Sequence, residues 1–183
     1  MLGFVPSKIF LTRGVGQHKE KLASFELALR QGGIAPFNLV KISSIFPPNC
    51  ELIPREEGLK HLKPGQIVFL VMSENATDEP QRVLSTSVGL AVPNNPAHYG
   101  YMSEHHCFGQ SEEEVGQYAE DLAAFMLATT LGENFDLDEI WNEEKSLYHI
   151  SENIIVKTEN ITQNAVGKKG IWTTAFAAAI CLP

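Results

Sequence analysis

The stretch FNLVKISSIFPPN, residues 37–49, begins with the pattern of a strand and ends with the pattern of a loop. Its first half is apolar and β-branched, which favours a strand, whereas Pro47 and Pro48 lack the N–H groups that an interior strand needs. Ser43 and Ser44 therefore lie where the strand ends. Serines at strand ends commonly bond to nearby backbone in turns, so a chemical role for this pair needs support from the rest of the chain.

Length, composition and charge limit the classes of protein to which the chain can belong. With 183 residues, 44% of them hydrophobic, it is long enough for one substantial core and is expected to form a single domain. Its 22 acidic and 14 basic residues give a net charge of -8, which argues against a nucleic-acid partner and favours a cationic ligand. Because the chain lacks both a run of roughly 18 apolar residues and a signal-peptide pattern, we expect a cytoplasmic protein without a membrane partner.

The order of strand and helix patterns favours an α+β fold. Apolar or alternating runs predict strands over residues 7–15, 37–44, 66–73, 82–92, 149–159 and 171–182. A first helix has apolar residues at Leu22, Phe25 and Leu29, and the following Gly32 and Gly33 favour a left-handed stop. Many strands with a few amphipathic helices are typical of an α+β sandwich.

A second helix begins with a capping box. Ser111 is followed three residues later by Glu114, a spacing that lets the two residues cap the first turn reciprocally, and the helix is expected to end at Gly132. Its expected apolar face consists of Val115, Tyr118, Leu122, Phe125 and Met126.

Glu26 interrupts the apolar pattern of the first helix. It lies four residues after Leu22, so the helical repeat places its carboxylate on the same side as the apolar residues. The simpler interpretation is a glutamate at the border that reaches solvent. The functional interpretation is a partly buried acid that binds a cation, for which a guanidinium group is the natural partner.

Glu104 lies beside His105 and His106 in the segment YMSEHHC. Adjacent histidines of an extended segment project to opposite faces and do not easily reach one ion, so we expect no metal site. The three cysteines are widely spaced and predict neither a disulfide framework nor a cysteine zinc site. Glu104 is a chemically reasonable proton donor, although its sequence context alone does not specify that role.

The serine pair lacks the context of ordinary hydrolases. No G-x-S-x-G elbow surrounds Ser44, and no glycine-rich phosphate loop or cofactor-binding lysine motif is found elsewhere. A Ser-Ser peptide permits another chemistry. The second hydroxyl attacks the preceding carbonyl and converts the amide to an ester, and elimination of that ester leaves dehydroalanine and then a pyruvoyl group.

Four segments resemble the pyruvoyl-dependent arginine decarboxylases: NLVKISSIFPPNCELIP, VPNNPAHYGYMSEHH, LASFELALRQGGI and TTAFAAAI. The similarity extends over nearly the whole chain. It implies a four-layer αββα sandwich in one domain, residues 1–183, that cuts itself between Ser43 and Ser44. The products are a β chain of residues 1–43 and an α chain of residues 44–183. The resemblance also implies a homotrimer of these αβ units with active sites between subunits, and whether the trimer assembles further stays open.

The resemblance also implies the roles of individual residues. Ser44 becomes the covalent pyruvoyl cofactor, and neither a metal nor pyridoxal phosphate is expected. Asn38 corresponds to the asparagine that assists processing, Glu104 to the catalytic proton donor and Glu26 to the acid that binds the guanidinium group. Six residues of a regular strand span about 20 Å, so Asn38 reaches the Ser44 peptide only if the chain bends or if it acts on a neighbouring subunit.

The implied reaction converts L-arginine to agmatine and carbon dioxide through an imine with the pyruvoyl group. An electrophilic group is needed because no amino-acid side chain stores the electrons left at Cα. The proton donor must itself be neutral, so an apolar surrounding is expected for it. Two alternatives stay open: the same chemistry on another amino acid, and an uncleaved homologue with a structural role. Whether the enzyme serves polyamine synthesis or acid resistance also stays open.

Overall fold

Nine strands and three α-helices make up the part of the chain that the structure, a computed structural model, describes, namely residues 4–130 and 156–183. The strands are β1 (Lys8–His18), β2 (Asn38–Lys41), β3 (Ile45–Phe46), β4 (Glu51–Leu52), β5 (Ile67–Thr77), β6 (Val83–Pro93), β7 (Gly100–Phe108), β8 (Val156–Val166) and β9 (Trp172–Leu182). The helices are α1 (Lys21–Gly32), α2 (Arg55–Gly58) and α3 (Glu112–Thr130), and a 3₁₀ turn (Leu59–His61) follows α2. The expected α+β class is confirmed.

The strands form two sheets. The first sheet has the order β2-β5-β9-β1-β4, in which β9 is antiparallel to both neighbours and the outer pairs β2–β5 and β1–β4 are parallel. The second sheet, β3-β7-β6-β8, is antiparallel throughout. Helix α1 packs against β1 and β9 of the first sheet, and α3 packs against β6, β7 and β8 of the second.

Alternate residues of β9 belong to two separate apolar clusters. Ala177 and Ala179 are fully buried with Val88 and Met102 of the second sheet, so this cluster lies between the sheets. Phe176 and the residues two and four positions later belong to the cluster beneath α1. A strand that buries both faces in this way has a nearly continuous apolar sequence, which explains the pattern of residues 171–182.

Glycines of β1 allow α1 to pack unusually close to the sheet. A Cβ atom at Gly14 would lie 2.3 Å from the carbonyl oxygen of Ala28, and one at Gly16 would lie 2.0 Å from that of Ser24. Small residues therefore form the buried face of the helix, namely Ser24, Ala28 and Gly32. The expectation that Leu22 belongs to this face is wrong, since Leu22 is 80% exposed. The left-handed stop is confirmed, with Gly33 at a φ of 79°.

Small residues likewise predominate on the buried face of α3. The capping box is confirmed, because the N–H and hydroxyl of Ser111 donate to Glu114 and the N–H of Glu114 donates to the Ser111 hydroxyl. Val115 is fully buried as expected, whereas Tyr118 and Leu122 lie at the border. The buried residues are Val115, Gly116, Ala119, Ala123, Ala124, Leu127 and Ala128. The expected end at Gly132 lies outside the described residues.

The predicted strands are present, with changed limits. Strand β5 continues four residues beyond Ser73, where the predicted strand ended. Strand β2 is shorter than predicted, since it begins at Asn38 and ends at Lys41. The part of the predicted strand 149–159 that precedes Val156 lies outside the described residues. Within the described ranges, no helix combines the length and apolar character needed to cross a membrane.

Candidate active site

The Ser43–Ser44 peptide lies where the chain passes from one sheet to the other. Strand β2, which precedes it, forms an edge of the first sheet, and β3, which follows it, forms an edge of the second. The N–H of Ile42 donates to the Leu70 carbonyl of β5, 3.0 Å away, and the N–H of Met102 in β7 donates to the Ser44 carbonyl, 2.8 Å away. The peptide is therefore anchored to a different sheet on each side.

The side chain of Ser44 contacts a carboxylate. Its hydroxyl donates a 3.0 Å hydrogen bond to Oε2 of Glu104, a residue 60 positions later in the chain. The contact arises because β3 pairs with β7, in the register Ile45 to Tyr101, which brings the start of β3 beside Glu104. Ser44 is half-buried and Glu104 is exposed in the single chain. The structure thus brings together two of the residues singled out in the sequence.

The two histidines beside Glu104 point to opposite faces of β7, as the extended pattern predicts. The ring of His105 stacks on Tyr118 of α3, with 4.2 Å between ring centroids, whereas His106 is exposed. Partial burial, and then the nearby charge of His106, lower the pKa of the His105 imidazole below its usual value. Residues 104 and 106 share a face of the strand, so His106 lies on the same face of β7 as Glu104.

Asn38 does not contact Ser44 in the single chain. Its amide Nδ2 donates to the carbonyl of Gly65, 2.8 Å away, and its backbone pairs with the start of β5 at Ile67. Asn38 is exposed, at the far end of β2 from the serine pair. The separation expected from strand geometry is therefore present in the structure.

Glu26 lies on the outer side of α1 and contacts a guanidinium group. Nε of Arg30 donates to Glu26 Oε1 at 2.5 Å, and the glutamate side chain is 43% exposed. The pair lines an open cavity of about 330 Å³ together with Gly33, Ala35 and Pro36. The structure shows no hydrogen bond between Glu26 and the serine pair in the described part of the chain.

A second cavity, of about 510 Å³, lies beside α1 and includes a carboxylate that sequence reasoning missed. Lys21, Leu22 and Phe25 of α1 line it together with Glu74 of β5. Glu74 accepts a 2.9 Å hydrogen bond from Lys41 Nζ. The missed signal was strand alternation, because Val68, Leu70 and Met72 point toward α1 and Glu74 continues that series.

Comparisons with known proteins give matches over nearly the whole chain. The chain matches the family described as "Pyruvoyl-dependent arginine decarboxylase (PvlArgDC)" over residues 8–183. A protein of Chlorobium limicola, named a probable pyruvoyl-dependent arginine decarboxylase, is 57% identical over 182 residues, which cover 100% of both chains. A pyruvoyl-dependent arginine decarboxylase of Nitrosopumilus maritimus is 55% identical over 183 residues, again 100% of both chains. One of Methanosarcina mazei is 54% identical over 177 residues, or 96% of each chain. The chain therefore belongs to the pyruvoyl-dependent arginine decarboxylase family.

Proposed function

We propose that this protein cuts itself between Ser43 and Ser44 and then decarboxylates L-arginine to agmatine and carbon dioxide. The observation that carries the proposal is the hydrogen bond from the Ser44 hydroxyl to the Glu104 carboxylate. The proposal also rests on family membership along nearly the whole chain.

The self-cleavage uses groups that the chain itself supplies. The Ser44 oxygen attacks the Ser43 carbonyl carbon, the hydroxyl proton moves to the Ser44 nitrogen, and the C–N bond breaks. This converts the peptide into an ester with a free amine. Loss of the Ser44 Cα proton then expels the Ser43 carboxylate, and water replaces the nitrogen of the resulting dehydroalanine, releasing ammonia. The products are chains 1–43 and 44–183.

The surroundings of Ser44 fit the group that these steps produce. Ser44 is half-buried, its carbonyl is held by β7, and its side chain faces a carboxylate rather than a backbone acceptor. The pyruvoyl group supplies an electrophilic carbonyl, which accepts the electrons that carbon dioxide leaves behind. Glu104 lies within reach of that position and donates the proton to the substrate Cα.

Assembly into a homotrimer supplies what the single chain lacks. An acid that holds its proton needs an apolar surrounding, yet Glu104 is exposed in the single chain. Asn38 is bonded to Gly65, so we propose that it acts on the serine pair of a neighbouring subunit. Active sites between subunits satisfy both needs.

Within each subunit, we propose that α1, the two sheets and α3 stack as a four-layer αββα sandwich, which their mutual contacts support. We also propose that the enzyme works in the cytoplasm.

Glu26 is proposed to bind the guanidinium group of the substrate. The contact between Glu26 and Arg30 supports this role, because its carboxylate already accepts a hydrogen bond from a guanidinium group. A carboxylate accepts paired hydrogen bonds from guanidinium and discriminates against shorter amines, because these leave part of the site unpaired.

Denaturing mass spectrometry of freshly purified protein tests the proposal first. We expect two chains that together span the sequence, the larger of which is lighter than the hydrolysis product by one ammonia. A substrate panel of arginine, lysine, ornithine and histidine then tests the reaction, with agmatine from arginine as the expected product. A single full-length chain without decarboxylase activity would contradict the proposed function.

A further inference from the structure

The carbonyl group that self-cleavage attacks already accepts a hydrogen bond from the chain itself. The N–H of Ile45 donates to the Ser43 carbonyl oxygen at 3.0 Å. Donor and acceptor are two residues apart, which is the hydrogen bond of a γ-turn centred on Ser44. The chain is thus tightly turned at the residue whose hydroxyl attacks.

This N–H points away from the ladder between β3 and β7. The neighbouring ladder bond runs from the Met102 N–H to the Ser44 carbonyl, and Ile45 lies opposite Tyr101. Since Ile45 is only partly covered, at 41% exposed, its side chain is not a main part of the core. Because the Ile45 N–H is directed away from β7, the hydrogen bond it makes within the described structure is the one to the Ser43 carbonyl.

We propose that the main-chain N–H of Ile45 is an oxyanion donor for the self-cleavage. The inference rests on the proposed function, because it concerns the first step of that cleavage. When the Ser44 oxygen bonds to the Ser43 carbonyl carbon, the carbonyl π electrons move to its oxygen, which becomes negatively charged. A donor that is already at 3.0 Å stabilises this charge without rearrangement. Collapse of the intermediate returns the electrons, breaks the C–N bond and protonates the Ser44 nitrogen.

The side-chain amide of Asn38 is not in a position to perform this task within the same chain. It donates to Gly65, at the opposite end of β2. Any help from Asn38 therefore has to come from another subunit, whereas the Ile45 donor is present in each chain before assembly. The Ile45 N–H is thus a donor that belongs to the turn itself, whereas the Asn38 amide is a donor that a neighbouring subunit would add.

The test replaces Ile45 by proline, which lacks the N–H, and by alanine, which retains it. We expect Ile45→Ala to cleave at the parental rate. Ile45→Pro is expected to fold, as judged by circular dichroism, and to cleave on the order of 100-fold to 1,000-fold more slowly, the loss typical of removing one oxyanion donor. Cleavage is followed by intact mass, so the result does not depend on decarboxylase activity.

Hydroxylamine identifies which step the proline blocks. It attacks the ester formed by the acyl shift, giving a hydroxamic acid at Ser43 and a free serine at Ser44. If the Ile45 N–H serves the shift itself, Ile45→Pro stays full-length in hydroxylamine. Rapid cleavage by hydroxylamine would show that the ester still forms, and would overturn the inference.

Two further outcomes are distinguishable. If the parent protein itself stays uncleaved, the proposed function fails; if the parent and a folded Ile45→Pro cleave equally fast, only the inference fails. Should Ile45→Pro not fold, an amide-to-ester replacement at residue 45 removes the same N–H while keeping the side chain. The same replacement at residue 46 is its control. Parental cleavage of the residue-45 ester would overturn the inference, and slowed cleavage of that ester alone would support it.

Discussion

The hydroxyl of Ser44 and the carboxylate of Glu104 are hydrogen-bonded at 3.0 Å although 60 residues separate them in the chain. Their contact depends on the register between β3 and β7, in which Ile45 lies opposite Tyr101. A shift of β3 by one residue would turn the Ser44 side chain to the other face of the sheet, away from Glu104. The register of a two-residue strand thus decides whether the serine meets an acid.

Replacing Glu104 by glutamine should separate cleavage from turnover. The side-chain oxygen of glutamine still accepts a hydrogen bond from the Ser44 hydroxyl, so we expect a cleaved protein. It has no acidic proton to give to Cα, so agmatine formation should fall about 100-fold or more. Intact mass and agmatine assays measure the two effects. Normal rates of both cleavage and turnover would exclude the proposed role of Glu104.

Replacing Glu26 by alanine should weaken arginine binding without slowing self-cleavage. A lost charge-assisted contact of about 2 kcal/mol corresponds to a rise in KM of about 30-fold. Arg30→Ala is the matched control, because it removes the internal guanidinium partner while leaving the carboxylate. We expect its KM to fall by about two-fold or less, as an exposed pair within a helix is weak. Unchanged arginine kinetics in Glu26→Ala would argue against the assignment.

Mixed assemblies should show that Asn38 acts on a neighbouring subunit. We expect Asn38→Ala alone to cleave slowly and Ser44→Ala alone not to cleave. When the two are produced together, the Asn38→Ala chains should be cleaved faster, since their neighbours carry Asn38. Chains of distinguishable mass make the outcome measurable by mass spectrometry. Equal cleavage of Asn38→Ala with and without the second variant would contradict action across subunits.

Replacing Gly16 by alanine should destabilise the contact between β1 and α1. The added Cβ would lie 2.0 Å from the Ser24 carbonyl oxygen, a backbone atom that cannot move without shifting the helix. We expect the free energy of unfolding to fall by about 3 kcal/mol, which thermal unfolding detects. Lys19→Ala, at an exposed position just after β1, is expected to change it by less than about 0.5 kcal/mol. Equal melting temperatures would contradict the close packing.

The capping box of α3 should make stability depend on pH. Hydrogen bonds from the Ser111 backbone and side chain hold the pKa of Glu114 below its usual value. A depressed pKa in the folded state means that the stabilisation is complete above the unfolded value of about 4.3 and is lost as pH falls through the folded value. We therefore expect Glu114→Gln to melt below the parent protein at neutral pH.

The difference between the Glu114→Gln and parent melting temperatures should become small at acidic pH. Glu113→Gln is the control, because it removes the same charge from the first turn, and no hydrogen bond to Ser111 is seen for Glu113 within the described residues. It is expected to change the melting temperature less at neutral pH. A constant difference across the pH range would exclude the linkage to Glu114.

Local signals predicted the elements of the fold well, and burial less well. The Ser111 and Glu114 cap and the Gly33 stop are confirmed, because each depends on residues within one turn of the chain. Leu22 is exposed although its spacing predicted burial. The pattern of α1 does not show that the glycines of β1 bring the helix so close to the sheet that only small side chains fit between them. The last four residues of β5 were not predicted as strand because they are largely polar, although they pair with β9 in the structure.

The sequence by itself determined the family, the serine pair and the set of candidate side chains, because these depend on residue identity and order. It also predicted that Asn38 reaches its own Ser44 only if the chain bends. Only the tertiary structure decided that Ser44 meets Glu104, that Glu26 meets Arg30 and that Ile45 holds the Ser43 carbonyl. Such contacts depend on strand register, rotamers and backbone turns, which long-range packing selects from several conformations that the local sequence permits.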